Sequence, residues 1–499
     1  MGHDLLLVAP ELFLTAAAIV LMLVAAWGGD RAAKLATWIA AACLVVAAII
    51  TPIASGPDAV AFGGLVTGDL FAAFASWLIY GSAAVALLAA AGWFGRGGDY
   101  RAEYPVLILL SAVGMGMMAS ATDLLTLYVG LELQSLAAYV LASFQRSDSR
   151  SAEAGLKYFI LGALASGLLL YGISLLYGFT GSTLFSDISV ALQQGAAAGH
   201  SPEGQLFGLV FVLAGIAFKV SAVPIHMWTP DVYEGAPTPV ATFFASAPKV
   251  AAMVLLTRVA IDALGPAFDA WRQIIIFMAL ASTILGGVAA IGQRNIKRLL
   301  AYSSINNVGF ALVGLAAAGQ AGVASVLVYL AVYVVMTLGS FMVVMKMRSE
   351  TGEHLESINS LAGLARTRPG LALAMAMFML SLAGIPPLFG FYPKLLVFDA
   401  AVQANLAWLA AVAVATSVIG AFYYIKIVKI MYFDDPAPVL VKEREPVASG
   451  LIALCALAVS PVGYLAIPYL EGLANEAAAS ISPNDAIQHS VVYDHPSGH

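Results

Sequence analysis

Four lysines and one glutamate of this sequence lie inside long apolar runs, where ionisable side chains are rare. A charge at bilayer depth costs roughly 2.5 to 3.5 kcal/mol or more, so such a side chain must be paired, neutral or beside water. Residues of this kind line ion paths and relay protons in membrane proteins. Proton transfer is therefore the chemistry available to them, and the five residues are Glu132, Lys157, Lys219, Lys249 and Lys394.

Glu132 and Lys219 are natural partners for each other, because a buried carboxylate needs a cation nearby. Burial favours the neutral forms of a carboxyl and an amine, whereas proximity of the two groups favours their charged forms. Their protonation would then respond to a small change in separation, which predicts a charge switch. The alternative is a static buried ion pair.

Pro224 lies in the segment that departs most from its apolar surroundings, FKVSAVPIHMWTPDVYEGAPTPV. Proline donates no backbone hydrogen bond and clashes with the carbonyl four residues earlier, here that of Val220, directly after Lys219. The sequence therefore predicts a helix break at membrane depth, which is tolerated only inside the protein or beside a wet cavity. Transporters handle ions at such breaks. The alternative is an ordinary kink with lysines that snorkel to the surface.

Prolines also precede two of the buried lysines. Lys249 follows Pro248, and Lys394 follows Pro393. Because each proline removes one backbone hydrogen bond, each lysine is predicted to lie beside a freed carbonyl group. Lys394 is expected in the external half of its membrane crossing.

Lys157 and His226 are weaker candidates for the same chemistry. Lys157 lies about one turn inside its predicted helix, where snorkelling of a long side chain explains it nearly as well as function. His226 has an intrinsic pKa near 6.5 and would suit a proton relay. A lone histidine near a helix break is about as often a structural hydrogen-bond donor.

The composition is that of an integral membrane protein. Of the 499 residues 61% are hydrophobic and only 10% are charged, and the mean hydropathy is +0.90, whereas about a quarter of a soluble domain is charged. Cys43 and Cys455 lie in separate runs without a CxxC motif, so a disulfide framework or metal–sulfur site is not supported. The segment GMGMMA at 114–119 follows no strand and predicts close helix packing. No nucleotide, metal or flavin is expected in this chain.

Fourteen apolar runs approach the roughly 20 residues that cross a hydrocarbon core of about 30 Å. Lysine and arginine are concentrated in alternate loops, which the positive-inside rule places in the cytoplasm, so both termini are expected outside. The basic residues are Arg31, Lys34, Arg96, Arg101, Arg146, Arg150, Arg294, Lys297, Arg298, Arg348, Arg366, Arg368, Lys442 and Arg444. The runs are 5–27, 33–53, 70–94, 104–121, 123–145, 153–180, 204–225, 238–263, 271–293, 297–317, 322–347, 369–398, 402–432 and 447–474.

The seventh loop, IHMWTPDVYEGAPTP, is the one predicted cytoplasmic loop without a basic residue. It carries Asp231 and Glu234 instead. This exception predicts a loop that is folded into the protein rather than merely facing the cytoplasm. A chance gap in a weak rule would look the same.

The seventh and twelfth runs resemble each other. SAVPIH at 221–226 corresponds to LAGIPP at 382–387, and each has a lysine nearby. Because the runs are five crossings apart, the units containing them would point in opposite directions, which is typical of inverted repeats with a broken helix in each half. The alternative is two independent proline kinks. The predicted architecture is all-α. Residues 1–103 would form helices 1–3, residues 104–263 and 264–432 would form the two five-helix repeats, and residues 433–499 would form helix 14 and an external tail.

Five motifs, in this order along the chain, closely resemble the subunit N family of bacterial NADH:quinone oxidoreductase, respiratory complex I. They are LELQSLAAYVL, FKVSAVPIHMWTPDVYEGAPTPV, APK, RNIKRLLAYSSINNVGF and SLAGIPPLFGFYPKLLVF. The resemblance implies an antiporter-like, proton-translocating subunit in the membrane arm, embedded in the bacterial inner membrane. Its implied partners are other membrane-arm subunits, including further antiporter-like ones. It implies no cofactor in this chain, with NADH, FMN, iron–sulfur clusters and quinone in other subunits.

The resemblance also implies a role for each motif residue. Glu132 and Lys219 would receive the coupling signal, Lys249 would be the central relay, and Lys394 would lead to the exit, with Lys157 a weaker member. The position that the inverted repeat relates to Glu132 falls in SSINNVGF, which has Asn306 and Asn307 but no carboxylate. The two half-channels are therefore expected to differ chemically.

Two other classes remain at this stage. A subunit of a multi-subunit cation/proton antiporter or of a membrane-bound hydrogenase would use similar helices without NADH. A purely structural membrane subunit would contain the same charges as an inert axis.

Overall fold

The apolar runs fold into α-helices, because a helix satisfies its own backbone hydrogen bonds where no water is available. The computed structural model describes residues 2–56, 59–97, 100–197, 203–349, 352–437, 440–441 and 445–481. Lys442, Arg444 and the tail 482–499, on which part of the predicted topology depends, lie outside these residues.

Four helices form the N-terminal part of the chain. A short hairpin, Val60–Ala61 paired with Val66–Thr67, connects the third and fourth helices and is a small departure from the all-α prediction. The helices are α1 (Gly2–Leu7), α2 (Ala9–Gly28), α3 (Ala33–Ala54) and α4 (Leu70–Gly97).

Eight helices follow, and two of them were not predicted. The sequence FSDISVALQQGAA forms α8, which at 13 residues is too short to cross a bilayer. The predicted seventh loop contains α10, which has only eight residues. The eight are α5 (Glu103–Ser120), α6 (Leu124–Ala142), α7 (Ser149–Thr180), α8 (Phe185–Ala197), α9 (Glu203–Val220), α10 (Trp228–Gly235), α11 (Thr238–Phe244) and α12 (Ala247–Arg258).

Nine helices complete the described chain. All but one overlap a predicted run; the exception is the single turn α16. They are α13 (Phe268–Ile291), α14 (Ile296–Ala317), α15 (Gly319–Met345), α16 (Leu364–Thr367), α17 (Pro369–Ala383), α18 (Phe391–Gln403), α19 (Ala407–Phe433), α20 (Pro446–Val459) and α21 (Ile467–Ala479).

Three helices end four residues before a proline. These ends are Val220, Phe244 and Ala383, which precede Pro224, Pro248 and Pro387. The carbonyl at this position is the one with which a proline ring clashes. The breaks near Pro224 and Pro387 confirm the sequence prediction. The break after Phe244 corrects it, because the run 238–263 was expected to form one continuous helix.

Among the described residues, eleven helical stretches are long and apolar enough to cross a membrane, or twelve if the bent pair Pro446–Val459 and Pro461–Ala479 is one crossing. The sequence predicts fourteen. In the smaller count Ala9–Ala54 is one stretch, although a 3-10 turn at Gly29–Ala32 divides it, and Pro369–Ala383 is too short to count alone.

The chain packs around three helical stretches at its centre. In their most apolar windows, 94% of the residues of Thr238–Ala263 and of Ile296–Ala317 are buried, as are 89% of those of Gly319–Met345. By contrast, Ala407–Phe433 is only 33% buried, so its surface is left for lipid or another chain. The centre of the fold therefore carries Lys249.

Glycine allows the close helix packing that GMGMMA predicts. A Cβ atom on Gly114 would lie 2.5 Å from the backbone nitrogen of Gln134 and 2.6 Å from the carbonyl oxygen of Gly130. Because contacts this short do not occur, only glycine lets α5 approach α6 at this point.

Candidate functional site

Lys219 lies in the last turn of α9 and is only 6% exposed. Its Nζ donates a hydrogen bond of 3.1 Å to the hydroxyl oxygen of Tyr139 on α6. The ammonium also lies 5.1, 5.6 and 5.4 Å from the ring centres of Tyr139, Tyr158 and Phe218. Aromatic faces attract a cation at this range, so the surroundings of Lys219 stabilise its charge without a carboxylate in contact.

Glu132 is half-buried on α6, and its Oε1 accepts a hydrogen bond from the hydroxyl of Ser166 on α7. It forms no ion pair with Lys219 within 4.0 Å, although both residues lie in the described part of the chain. Tyr139 follows Glu132 by two turns on the same helix face. The carboxylate and the phenol that binds Lys219 thus belong to one side of α6.

Lys249 lies in the first turn of α12 and is 2% exposed. Its Nζ donates to the carbonyl oxygen of Val220 at 3.0 Å and to the hydroxyl of Ser221, both at the break after α9. The rings of Trp228 and Tyr233 on α10 lie 5.3 and 5.9 Å from the ammonium. Lys249 therefore caps the carbonyl end of α9 from a different helix.

Lys394 makes a matching arrangement in the second half of the chain, where it is 5% exposed. Its Nζ donates to the carbonyl oxygens of Leu382 and Ala383 at 2.9 and 3.1 Å and to Ser417 Oγ at 3.0 Å. The ring centre of Phe310 is 4.7 Å away. Lys394 thus caps α17, and cations at the carbonyl end of a helix are favoured by its dipole.

The carbonyl groups that bind these lysines are not those predicted from the neighbouring prolines. Lys249 binds the carbonyl oxygen that Pro224 frees, rather than one freed by Pro248. Lys394 binds the one freed by Pro387, rather than one freed by Pro393. The prediction failed because Pro248 and Pro393 lie in the first turns of α12 and α18, so the carbonyls four residues before them lie outside these helices.

A hydrogen-bonded group of phenols and amides fills the second half between the lysines. Asn307 accepts from the Tyr329 hydroxyl at 2.7 Å and donates to the Ser303 carbonyl at 2.8 Å and to the Tyr424 hydroxyl oxygen at 3.2 Å. The Ser303 and Tyr424 hydroxyls share a hydrogen bond of 2.5 Å. Asn306 instead donates to the carbonyl of Thr283 at 2.7 Å. The sequence singled out the asparagines but not the tyrosines, which are common in membrane helices.

Lys157 stands apart from these residues. Its side chain is 42% exposed, and its Nζ lies 2.8 Å from Asp231 Oδ2 and 2.8 Å from Glu153 Oε1. This ion pairing at the helix end fits the alternative reading of a snorkelling lysine. His226 lies in the turn after α9, where its Nδ1 is buried without a hydrogen-bond partner among the described residues.

The seventh loop is folded into the protein, as its missing basic residue predicts. Arg298 on α14 donates to Asp231 Oδ1 at 2.7 Å and to Glu234 Oε2 at 3.0 Å. Nearby, Lys297 donates to Glu356 Oε1 at 2.7 Å. Burial alone raises the pKa of Asp231 and of Glu356, but the cations beside them outweigh it and hold both pKa values below the ordinary range. The acidic loop thus pairs with the basic start of α14.

Two further buried polar contacts were missed from the sequence. Arg258, 1% exposed, forms two hydrogen bonds of 2.8 and 2.7 Å with the carboxylate of Asp69, which precedes α4. Glu11 on α2 accepts a hydrogen bond of 2.8 Å from the hydroxyl of Tyr80. A charged residue within or beside an apolar run is the sequence signal that these two contacts share with the lysines and Glu132.

Within the described residues, no group of three or more His, Cys, Asp or Glu side chains is placed to hold a metal ion. Both cysteines are free. The arrangement offers amines and hydroxyls, which can pass protons, and backbone carbonyl groups, which accept hydrogen bonds from the amines.

Two interrupted membrane helices whose carbonyl ends are capped by buried lysines define an ion-translocating membrane protein of the antiporter-like class. A sequence model of the family described as "NADH:quinone oxidoreductase/Mrp antiporter, TM" matches residues 121–420, more than half of the chain. The chain belongs to this family, in the branch of NADH-quinone oxidoreductase subunit N.

Curated relatives resemble this chain over nearly its whole length and support its place in the subunit N family. The chain is 65% identical to NADH-quinone oxidoreductase subunit N of Rhizorhabdus wittichii, over 96% of this chain and 99% of the relative. It is 58% identical to subunit N of Sphingopyxis alaskensis, over 96% of this chain and 100% of the relative.

Solved structures share the fold. A chain of respiratory complex I from Thermus thermophilus, solved with bound aureothin, is 30% identical and superposes with a TM-score of 0.79, over 93% of this chain and 99% of that one. A chain of the Mrp complex from Dietzia sp. DQ12-45-1b has a TM-score of 0.81 at 22% identity, over 97% of this chain and 99% of that one, and this likeness concerns the fold alone.

Proposed function

We propose that this chain is a proton-translocating subunit in the membrane arm of bacterial NADH:quinone oxidoreductase, beside other membrane-arm subunits. Other subunits transfer electrons from NADH to quinone and hold the FMN and iron–sulfur clusters, so this chain performs no redox step itself. The observation that carries the proposal is the pair of capped breaks, where Lys249 and Lys394 bind the carbonyl ends of interrupted helices.

The topology proposed is fourteen crossings with both termini on the external side of the inner membrane. It counts α2 and α3 separately and takes α11 with α12, α17 with α18, and α20 with α21 as single crossings, while α10 lies in the seventh loop. The repeats 104–263 and 264–432 would then be inverted copies, each containing a broken helix. The alternation of basic loops supports this direction, and reporter fusions to the tail would contradict it if they were cytoplasmic.

The mechanism proposed begins at Lys219. When Glu132 approaches, Lys219 keeps its proton, and when the carboxylate moves away the proton is released towards Lys249. Lys249 binds the two residues that directly follow Lys219 in the chain, at the carbonyl of Val220 and the hydroxyl of Ser221. A change of charge at the end of α9 therefore reaches the next amine directly. From there the hydroxyl groups around Asn307 offer a route towards Lys394.

The decisive variant is Lys219→Ala in the whole complex, reconstituted into liposomes. Proton uptake driven by NADH should fall far more than complex assembly, while Lys429→Ala, which changes an exposed lysine, should leave pumping unchanged. Full pumping by an assembled Lys219→Ala complex would show that the buried charges are structural.

Lys219→Arg separates charge from proton release. A guanidinium keeps its proton at accessible pH, so the arginine should preserve assembly without restoring pumping. At the partner, Glu132→Gln should impair coupling and Glu132→Asp should retain part of it. Restored pumping in Lys219→Arg would exclude proton release from this position.

A cation/proton antiporter subunit is the alternative, and the shared fold alone does not separate the two. The close relatives of this chain favour the NADH-linked complex. Proton uptake that depends on NADH and quinone, rather than on a sodium gradient, distinguishes the two.

A further inference from the structure

A groove of about 730 Å³ opens between α17 and α20, beside the end of α15. Its volume lies within the roughly 300–1,000 Å³ of small-molecule sites. None of the lysine contacts described above uses it. Its walls are mainly apolar and include Leu371, Ala374 and Met377 of α17 and Ile452, Ala453 and Leu457 of α20.

The charged groups of the groove lie at one end. Lys346, 3% exposed, donates to the hydroxyl of Ser449, and Arg368 donates through Nη1 to the carbonyl oxygen of Val441 at 3.1 Å. Arginine has five N–H donors, so most of the guanidinium remains available to an anion. The N-terminus of α17 begins beside it at Pro369 and adds a favourable dipole. Glu445, one turn before Ser449, leaves this end with a net positive charge.

The length of the groove matches one leaflet of a membrane. From Ser449 at the basic end to Ser460 at the other, both of which line it, the rise of a helix gives about 16 Å. Half of a hydrocarbon core of about 30 Å is the same length. A groove of this length would reach from the headgroup level of one leaflet to the middle of the bilayer.

We propose that this groove binds one anionic phospholipid of the surrounding bilayer. The phosphate would lie against Arg368, Lys346 and the start of α17, with one acyl chain along the apolar walls. A peptide would fit poorly, because its backbone polar groups would lack partners along the apolar length. The rim is open to the surrounding bilayer, since the lining residues Leu373 and Leu457 are 56% and 54% exposed.

The inner end of the groove touches a break that the proton path uses. Val459, which precedes the lining residue Ser460, accepts a hydrogen bond of 2.9 Å from the backbone N–H of Phe389. Phe389 lies in the turn between α17 and α18. A lipid in the groove therefore packs beside the segment that Lys394 caps.

The test compares lipid retention by the purified, detergent-solubilised complex after incubation with phosphatidylglycerol or phosphatidylcholine, counted by native mass spectrometry. Arg368→Gln should lower phosphatidylglycerol binding about fivefold, since one basic residue near an anionic surface contributes about 1 kcal/mol. Ala453→Trp should remove one lipid by filling the groove. The matched controls are Arg366→Gln, an exposed arginine two residues away, and Leu454→Trp, the next lipid-facing position.

Equal retention of both lipids by the unaltered complex would overturn the proposal, as would an Ala453→Trp complex that keeps its full lipid count. If Ala453→Trp does not assemble, the two arginine variants decide the test. Equal retention of phosphatidylglycerol by Arg368→Gln and Arg366→Gln would then overturn the proposal. A density map of the complex with a protein segment in the groove would assign it to a neighbouring subunit. None of these outcomes depends on whether the chain moves protons.

Discussion

At the scale of single residues, the buried amines are held mainly by hydroxyls, carbonyls and aromatic faces rather than by carboxylates. Lys219 donates to Tyr139, Lys249 to Ser221, and Lys394 to Ser417. Such partners stabilise an ammonium less than a carboxylate would, and they also accept the neutral amine. A site built this way keeps the proton exchangeable.

Tyr139→Phe tests this idea. The change removes the hydroxyl that binds Lys219 and keeps the ring, and a hydrogen bond to a charged group is worth about 1.5–3 kcal/mol. We expect NADH-driven proton uptake to fall about tenfold with normal assembly. Tyr158→Phe is the matched control, because the Tyr158 ring also faces Lys219 but its hydroxyl does not bind it. Equal effects of the two variants would contradict a specific role for the Tyr139 hydroxyl.

The sequence could indicate the lysines and Glu132 because charge within an apolar run is costly and therefore rare. It could not indicate Tyr139, Ser221 or Ser417, since hydroxyl groups cost little in a membrane helix and mark no function by themselves. The separation of Glu132 from Lys219 also depends on how α6 packs against α9, which no local pattern encodes.

At the scale of elements, the breaks are the decisive feature, and proline chemistry predicts where the helices end. Val220 and Ala383 are the last residues of their helices, each four before a proline. The break after Phe244 follows the same rule through Pro248. The apolar run 238–263 conceals this break, because no polar segment separates α11 from α12 and Pro248 lies in the first turn of α12.

Gly384→Ala should disturb the second break. Gly384 has φ +80°, and a Cβ there would lie 2.9 Å from Lys394 Cδ. We expect a loss of about 1–2 kcal/mol from the left-handed backbone, together with reduced proton uptake because Lys394 is displaced. Gly181→Ala has the same strain at φ +77° with nothing within 4 Å. Gly181→Ala should lower thermal stability while pumping is retained. Reduced pumping by Gly181→Ala would show that backbone strain, rather than displacement of Lys394, explains the effect of Gly384→Ala.

The paired seventh loop predicts a dependence of stability on pH. The folded-state pKa of Asp231 lies below its ordinary value of 3.8, since Lys157 and Arg298 outweigh burial. Its contribution is therefore present above about pH 4 and is lost as pH falls through the folded-state pKa. Asp231→Asn should flatten the fall in unfolding temperature between about pH 5 and 3. Asp435→Asn changes a fully exposed carboxylate and should leave the fall in unfolding temperature unchanged.

At the scale of the whole molecule, Arg258 joins α12 to the N-terminal helices through Asp69. Removing one partner of a buried ion pair costs about 3–5 kcal/mol, whereas replacing both with apolar residues is often neutral. Asp69→Leu should therefore lower the unfolding temperature of the purified complex strongly. Because Arg258 Nη1 also lies 3.2 Å from Asp262 Oδ2, the variant that should recover part of the loss is Arg258→Met with Asp69→Leu and Asp262→Leu. A triple variant less stable than Asp69→Leu would contradict this coupling.

The two capped breaks differ in which part of the chain supplies the cap. Lys394 belongs to the second segment of its own interrupted crossing, so its hydrogen bonds resist bending within that crossing. Lys249 reaches α9 from α12, so its hydrogen bonds resist sliding of one crossing past another. A mechanical load along the membrane normal would thus strain the first break and spare the second. A covalent tether between α9 and α12 would arrest such sliding in the first half, whereas a tether between α17 and α18 would only stiffen a hinge.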